Sequence, residues 1–232
     1  MKKTLLLSTF VFGILACTST SEKTASQEKI KMENTDSQTP TAEADARWTN
    51  IGYDLEKGRP EGLKVGMKAP DFALQSPDGK TIKLSEELKK QPVVLMFYRG
   101  VWCPVCIRYL AEFQEAAPQI TAKGAKVIAI TPETNDNIAE TIEKTKIDFT
   151  VLHDQNTNVM NDYKVLFSVT EAYQEKIRTK LESDIAFNNG KTEAQLPVPA
   201  TYVIGQDGVI KFVQFDLNYK NRASVDDILK QL

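Results

Sequence analysis

Six consecutive apolar or aromatic residues, Val93-Val-Leu-Met-Phe-Tyr98, stand in the middle of a chain in which 26% of residues are charged. A strand with one wet face alternates polar and apolar positions. An unbroken run needs cover on both faces, as in the centre of a sheet with helices above and below. The flanking sequence supplies such cover. Asp71–Leu74 and Thr81–Leu84 read as a hairpin about the turn Ser76-Pro-Asp-Gly79. Pro104 suits a first helical turn. Leu110, Phe113, Ala117 and Ile120 then share a face, with Pro118 expected to kink or end the helix and Gly124 to close it. Val127–Ile130 is a strand, residues 136–145 a helix and Phe149–Leu152 a strand. Val159 and Tyr163 share a helical face. Ser168 and Glu171 form a capping box for a helix carrying Tyr173, Ile177, Leu181 and Ile185. Thr201–Ile204 and Val209–Phe215 flank an Asp207-Gly208 turn, and Val225, Ile228, Leu229 and Leu232 predict a terminal helix. Strands and helices alternate, so the fold class is α/β.

The amino-terminal part is not expected to join this fold. Lys2 and Lys3 precede an apolar run from Leu5 to Ala16, too short for a stable membrane anchor and laid out like a secretory signal. It ends Ile14-Leu-Ala-Cys17, which resembles a bacterial lipobox, so residues 1–16 read as a signal peptide and Cys17 as the lipidation site. From Thr18 to Asp45 the chain is polar and cannot offset its ordering entropy by burial. Its flexible reach is about 30 Å. Trp48, Ile51 and Leu55 have helical spacing and predict a short docked helix. The expected order is signal 1–16, lipidated tether with a short helix 17–59, and a folded domain 60–232. The resulting location is the cell envelope on the periplasmic side, attached through lipid only, with Thr18 pointing to the outer membrane.

Charge and residue counts remove several functions. With 29 Lys and Arg against 31 Asp and Glu, no basic excess exists to neutralise phosphates, which excludes nucleic acid as the expected partner. Gly79-Lys-Thr81 and Gly190-Lys-Thr192 mimic the end of a phosphate loop, but Leu74 and Ile185 stand where its first glycine is needed. One histidine, His153, rules out a His-triad metal site. No cofactor is expected.

The chemistry concentrates at Trp102-Cys103-Pro-Val-Cys106. Structural zinc would need two further ligands of matching spacing, and c-type haem attachment would need His where Ile107 stands. A redox dithiol remains. Placed between a buried strand and a helix start, the sulfurs meet unpaired N–H groups and the positive end of the helix dipole, which favour the thiolate. Arg99 and Arg108 are candidates to add positive charge. In Leu196-Pro-Val-Pro-Ala-Thr-Tyr-Val-Ile204, Pro199 precedes an apolar strand, where either a cis turn or an ordinary trans proline fits.

Strand, Trp-Cys-Pro-x-Cys, helix and a later Val-Pro before a strand resemble the thioredoxin fold. Pro70-Asp-Phe72, Phe97-Tyr98 and Val151-Leu-His-Asp154 resemble the peroxiredoxin (alkyl hydroperoxide reductase/thiol-specific antioxidant) branch. Tyr98-Arg-Gly-x-Trp-Cys-Pro-x-Cys106 and Leu196–Ile204 are similar to a peroxiredoxin-like group of that branch. The resemblance covers about residues 65–225. It implies a thioredoxin-like central mixed sheet flanked by helices, a cis Val198–Pro199 beside the cysteines with the Val198 backbone free to pair with substrate, and Cys106 in the peroxidatic position.

The departures bear on activity. Peroxiredoxins typically show Pro-x-x-x-Thr-x-x-Cys and a distant Arg. Here Arg99 takes the Pro position, Cys103 the Thr position and Pro199 that of the Arg. Phe97 stands where thioredoxins bury an Asp, leaving the proton acceptor unidentified. Two roles follow from the resemblance. In a peroxidase, Cys106 attacks the peroxide and Cys103 resolves the sulfenic acid; in a disulfide reductase, Cys103 attacks and Cys106 resolves. Both cycles end in a Cys103–Cys106 disulfide that a thioredoxin-like donor reduces. Copper delivery proteins share the fold and add a distant His. His153 occupies a position that relatives fill with Ser, and it reads as a structural or surface residue.

Overall fold

A computed structural model describes residues 42–232; the signal segment, Cys17 and the tether to residue 41 lie outside the described residues. The first helix, α1 (Ala42–Thr49), ends before Ile51. Gly52 then turns the chain at φ +113°, where a Cβ would meet the Tyr173 ring at 2.8 Å. A 3-10 turn follows at Leu55–Lys57. Trp48, Ile51 and Leu55 thus share no single helix, yet all three pack on the core. Between them Tyr53 is buried and stacks on Phe167 at 4.0 Å, so core packing begins before residue 60.

The expected hairpin is β1 (Ala73–Gln75) and β2 (Thr81–Lys83), with Gly79 turning at φ +82°. Leu84 opens a short helix, α2 (Leu84–Leu88), instead of ending the strand. The apolar run forms β3 (Val93–Phe97), buried at every position. Next comes α3 (Pro104–Ala122), with Leu110, Phe113, Ala117 and Ile120 buried. It continues through Pro118, because Ala117 and Ile120 pack on either side of the proline and hold the last turn against the core. Gly124 ends it at φ +78°. Then follow β4 (Lys126–Thr131), α4 (Asn135–Thr145), β5 (Thr150–His153) and α5 (Asn158–Asp162).

Two short strands had no signature in the sequence. β6 (Leu166–Ser168) and β7 (Gln195–Pro197) pair antiparallel across the segment that holds α6 (Glu171–Leu181) and α7 (Ile185–Asn188). Ser168 is consumed by that ladder, opposite Gln195. The cap of α6 is therefore Thr170, whose hydroxyl accepts the Tyr173 N–H at 3.3 Å. Nor does α6 reach Ile185: Glu182 adopts a left-handed conformation, and the Asp184 carboxylate caps α7 by accepting the Phe187 N–H at 2.9 Å.

The chain closes with β8 (Ala200–Ile204), β9 (Ile210–Phe215) and α8 (Val225–Leu229). The main sheet runs β2-β1-β5-β4-β3-β8-β9. β3 is parallel to β4 and antiparallel to β8, so the sheet is mixed and β3 lies inside it. β8 and β9 are antiparallel, which makes β9 run parallel to β3. Both therefore end at the same edge of the sheet.

The cis peptide expected before Pro199 is absent: every peptide bond among the described residues is trans. The Val198 N–H donates to the Val165 carbonyl at 2.7 Å, prolonging the β6–β7 ladder. The chain thus passes from β7 to β8 without the tight turn that a cis proline would make, and the Val198 amide is spent inside the fold. The cap assignment is directly testable. Thr170→Ala should destabilise the protein by about 1 kcal/mol, read as a lower denaturant midpoint at unchanged slope. Ser168→Ala should cost clearly less if Ser168 caps nothing.

Candidate active site: a buried dithiol between two arginines

From the end of β3 the chain runs Tyr98-Arg-Gly-Val-Trp102 into Cys103. Gly100 has φ +153°, and a Cβ there would lie 2.4 Å from Glu133 Oε1, so only glycine fits the turn. The Cys103 N–H closes that turn onto the Gly100 carbonyl at 3.1 Å. Cys103 is the N-cap of α3, with Pro104 inside the first turn. Its Sγ accepts the Cys106 N–H at 3.3 Å. Both sulfurs thus sit at the positive end of a 19-residue helix, as the sequence predicts. Both are free thiols with 0% exposure.

Two guanidinium groups reach the pair. Arg99, 3% exposed, donates from Nη2 to Cys103 Sγ at 3.1 Å and from Nη1 to the Tyr173 hydroxyl at 3.1 Å. It lies over the Tyr219 ring at 3.8 Å and the Trp102 ring at 5.2 Å, an aromatic setting that favours a buried cation. Arg222 donates from Nη2 to Cys106 Sγ at 3.5 Å and from Nε to the Tyr219 carbonyl at 2.7 Å. Its guanidinium lies over the Tyr109 ring at 5.3 Å. Arg108, the other candidate, points to solvent and pairs with Glu112 at 4.0 Å.

Burial raises both thiols, but the hydrogen bond from Cys103, together with Arg222 and Arg99, holds Cys106 well below the usual thiol range. Cys103 is pushed well above that range by burial and by its neighbour Cys106, against the pull of Arg99. The direction of these shifts favours Cys106 as the sulfur that carries the negative charge, while Cys103 Sγ accepts from both Arg99 and the Cys106 N–H.

Behind the Gly100 turn lies Glu133, fully buried. Its Oε2 accepts the Val101 N–H at 2.8 Å, while Oε1 has no partner. Burial pushes its carboxyl up to about 8. His153 sits elsewhere. It is half-buried and lines an open cleft of about 440 Å³ with residues such as Asp71 and Asp162, and no cysteine borders that cleft.

Cys103, Cys106 and Arg99 thus come together as the sequence led one to expect. Arg222, Tyr173, Tyr219 and Glu133 were missed. Arg222 and Tyr219 lie in the polar loop after β9, which reaches the dithiol only because β9 ends at the same sheet edge as β3. Glu133 stands in Thr131-Pro-Glu133, which reads as an ordinary surface turn.

A dithiol at the start of a helix that follows a central strand of a mixed sheet defines a thioredoxin-fold thiol oxidoreductase. Residues 65–213 match the model of the AhpC/TSA family, and the chain belongs to that family. It is 27% identical over 170 residues to peroxiredoxin Q, chloroplastic, of Suaeda salsa, covering 73% of this chain and 68% of that one. It is 29% identical over 119 residues to the thiol-disulfide oxidoreductase ResA of Bacillus cereus, covering 50% and 68%. Among solved structures, peroxidoxin BcpB from Mycobacterium tuberculosis shares the fold, with a TM-score of 0.55 and 22% identity over 73% of this chain and 96% of that one.

The charge assignment has a direct consequence. Arg222→Met keeps the aliphatic stem and removes the cation beside Cys106. The thiolate titration should move upward by about one pH unit or more, leaving less thiolate at neutral pH. Ultraviolet thiolate absorbance against pH, with Cys103→Ser as background, measures this. An unmoved titration would show that Arg222 does not hold the charge.

Proposed function

We propose that the protein reduces peroxides through Cys106 and Cys103. The Cys106 thiolate attacks a peroxide oxygen and the O–O bond breaks. The leaving alkoxide or hydroxide takes a proton, and Cys106 becomes a sulfenic acid. The Cys103 thiol then condenses with it, releasing water and forming a disulfide that a thioredoxin-like dithiol donor reduces. The observation that carries this reading is the pair of guanidinium groups on the buried dithiol, Arg222 on Cys106, the sulfur in the peroxidatic position, and Arg99 on Cys103. Arg99 and Arg222 supply the positive charge that the family's distant arginine would have given.

The likeness to ResA favours a second reading, in which Cys103 attacks protein disulfides. Single-turnover oxidation of the reduced protein by hydrogen peroxide, an alkyl hydroperoxide and a protein disulfide separates the two. Cys103→Ser should react once with peroxide and accumulate sulfenic acid, while Cys106→Ser should react no faster than a free thiol. If Cys106→Ser keeps wild-type reactivity and Cys103→Ser loses it, the disulfide-reductase reading replaces this one.

We further propose that the domain works at the cell envelope, held by lipid on Cys17. Support comes from the order of Lys2-Lys3, the apolar run and Cys17. Cys17→Ser should move the protein from the membrane fraction to the soluble fraction. Wild-type protein that is soluble and unmodified at its amino terminus would refute the anchor.

A further inference from the structure

Reduction of the disulfide to Cys103–SH and Cys106–S⁻ takes up two electrons but only one proton. Oxidation by a peroxide releases one proton from Cys103 and needs two, one each for the departing alkoxide and the hydroxide lost as water. The dithiol alone is therefore one proton short. The structure places a second ionisable group beside it that the proposed cycle does not use.

Glu133 is 0% exposed at the end of β4, behind the turn that leads into Cys103. One oxygen is fixed by the Val101 N–H at 2.8 Å, in the segment between Gly100 and Cys103. The other has no hydrogen-bond partner, and neither has Trp102 Nε1. A Cβ on Gly100 would lie 2.4 Å from that oxygen and 2.7 Å from that nitrogen, so the carboxyl is pressed against the active-site turn. The ionisable groups around it are few: Cys106 from α3, Tyr98 from the strand end, and Glu140 and Lys144 from α4. Tyr98 is itself buried, with a hydroxyl lacking a partner. Among the described residues no cation is bonded to the carboxylate. An ionised, half-satisfied carboxylate at such a site is costly, and a thiolate nearby makes it more so.

We propose that Glu133 is the redox-linked proton store of the dithiol, holding a proton while Cys106 is a thiolate and giving it up when the Cys103–Cys106 disulfide forms. This rests on the thiol-oxidoreductase cycle above. The balance closes: thiolate, Cys103 thiol, protonated Glu133 and peroxide ROOH yield disulfide, ionised Glu133, ROH and water, with no proton drawn from solvent. In the return step a donor dithiol passes two electrons and two protons, which reprotonate Cys103 and Glu133. The coupling is reciprocal: loss of the Cys106 charge lowers the proton affinity of Glu133, and ionisation of Glu133 disfavours the thiolate. Burial comes first among the causes that raise the Glu133 carboxyl to about 8, and Cys106 adds to it against the Val101 N–H. In the disulfide form the Cys106 contribution is gone and the carboxyl titrates lower. Between the two values, reduction takes up two protons; above about 8 it takes up one.

The test is the midpoint potential of the full-length protein in dithiothreitol redox buffers, read by thiol alkylation across the pH range below and above 8. In the window just below 8, the reduction equilibrium of the wild type should change a hundredfold per pH unit, about 60 mV, against tenfold, about 30 mV, for one proton. Glu133→Gln keeps an oxygen for the Val101 N–H but has no proton to release. It should show the one-proton slope throughout that window, while Glu133→Asp should retain a steep segment. A reduced-minus-oxidised infrared spectrum of the wild type should show a protonated-carboxyl band lost on oxidation. Equal one-proton slopes in wild type and Glu133→Gln, or no such band, would overturn the proton-store role while leaving the dithiol cycle standing. Absence of any reversible two-electron couple would instead overturn the cycle on which it rests.

Discussion

One buried dithiol, with a guanidinium group on each sulfur, organises this molecule. A thiolate with no exposed surface is tolerable only where dipoles and cations replace the lost water. The start of α3 supplies the dipole and Arg99 and Arg222 the cations. Each cation must in turn be housed. Arg99 is held by the Tyr173 hydroxyl and by the rings of Tyr219 and Trp102; Arg222 is held by the Tyr219 carbonyl and the Tyr109 ring. Tyr109 is fixed in turn, its hydroxyl donating to the Ala223 carbonyl at 3.1 Å. The residues that house the charge come from the β3–α3 turn, α3, α6 and the loop after β9. The site therefore exists only once these distant elements have packed.

That dependence sets what could be read from the chain. The β3 run, the dithiol at a helix start, the β8–β9 hairpin and the amphipathic face of α3 each declare themselves within about twenty residues, because local pattern and local packing agree. Arg99 was legible because it lies four residues from Cys103. Arg222 lies 116 residues from Cys106, and only the strand order brings them together. The misreadings have the same origin. Ser168 satisfies a capping rule but is claimed by β7; Pro118 should end a helix but is held by the core on either side. Pro199 matches a proline that is cis in the resembled fold, yet the Val198 amide is already bonded to Val165. In each case a contact of long sequence separation overrode a sound local preference.

The departures from the peroxiredoxin pattern acquire a physical meaning in this light. The pattern's Thr and distant Arg positions hold Cys103 and Pro199, so a hydroxyl and a cation are missing from their usual places. Cys103 brings a sulfur into hydrogen-bonding range of Cys106, and Arg222 brings a cation from a different element to the same sulfur. Around Cys106 the positive charge comes from Arg222 and Arg99, not from the position the pattern assigns to it. The exchange has a consequence for the pair itself. A threonine hydroxyl can only stabilise the thiolate, whereas a thiol in its place also exchanges protons with it and can close a disulfide. The group that orients the nucleophile is thereby the group that would resolve it. With both functions in one four-residue turn, a nearby buried acid such as Glu133 can sense the charge of the whole couple.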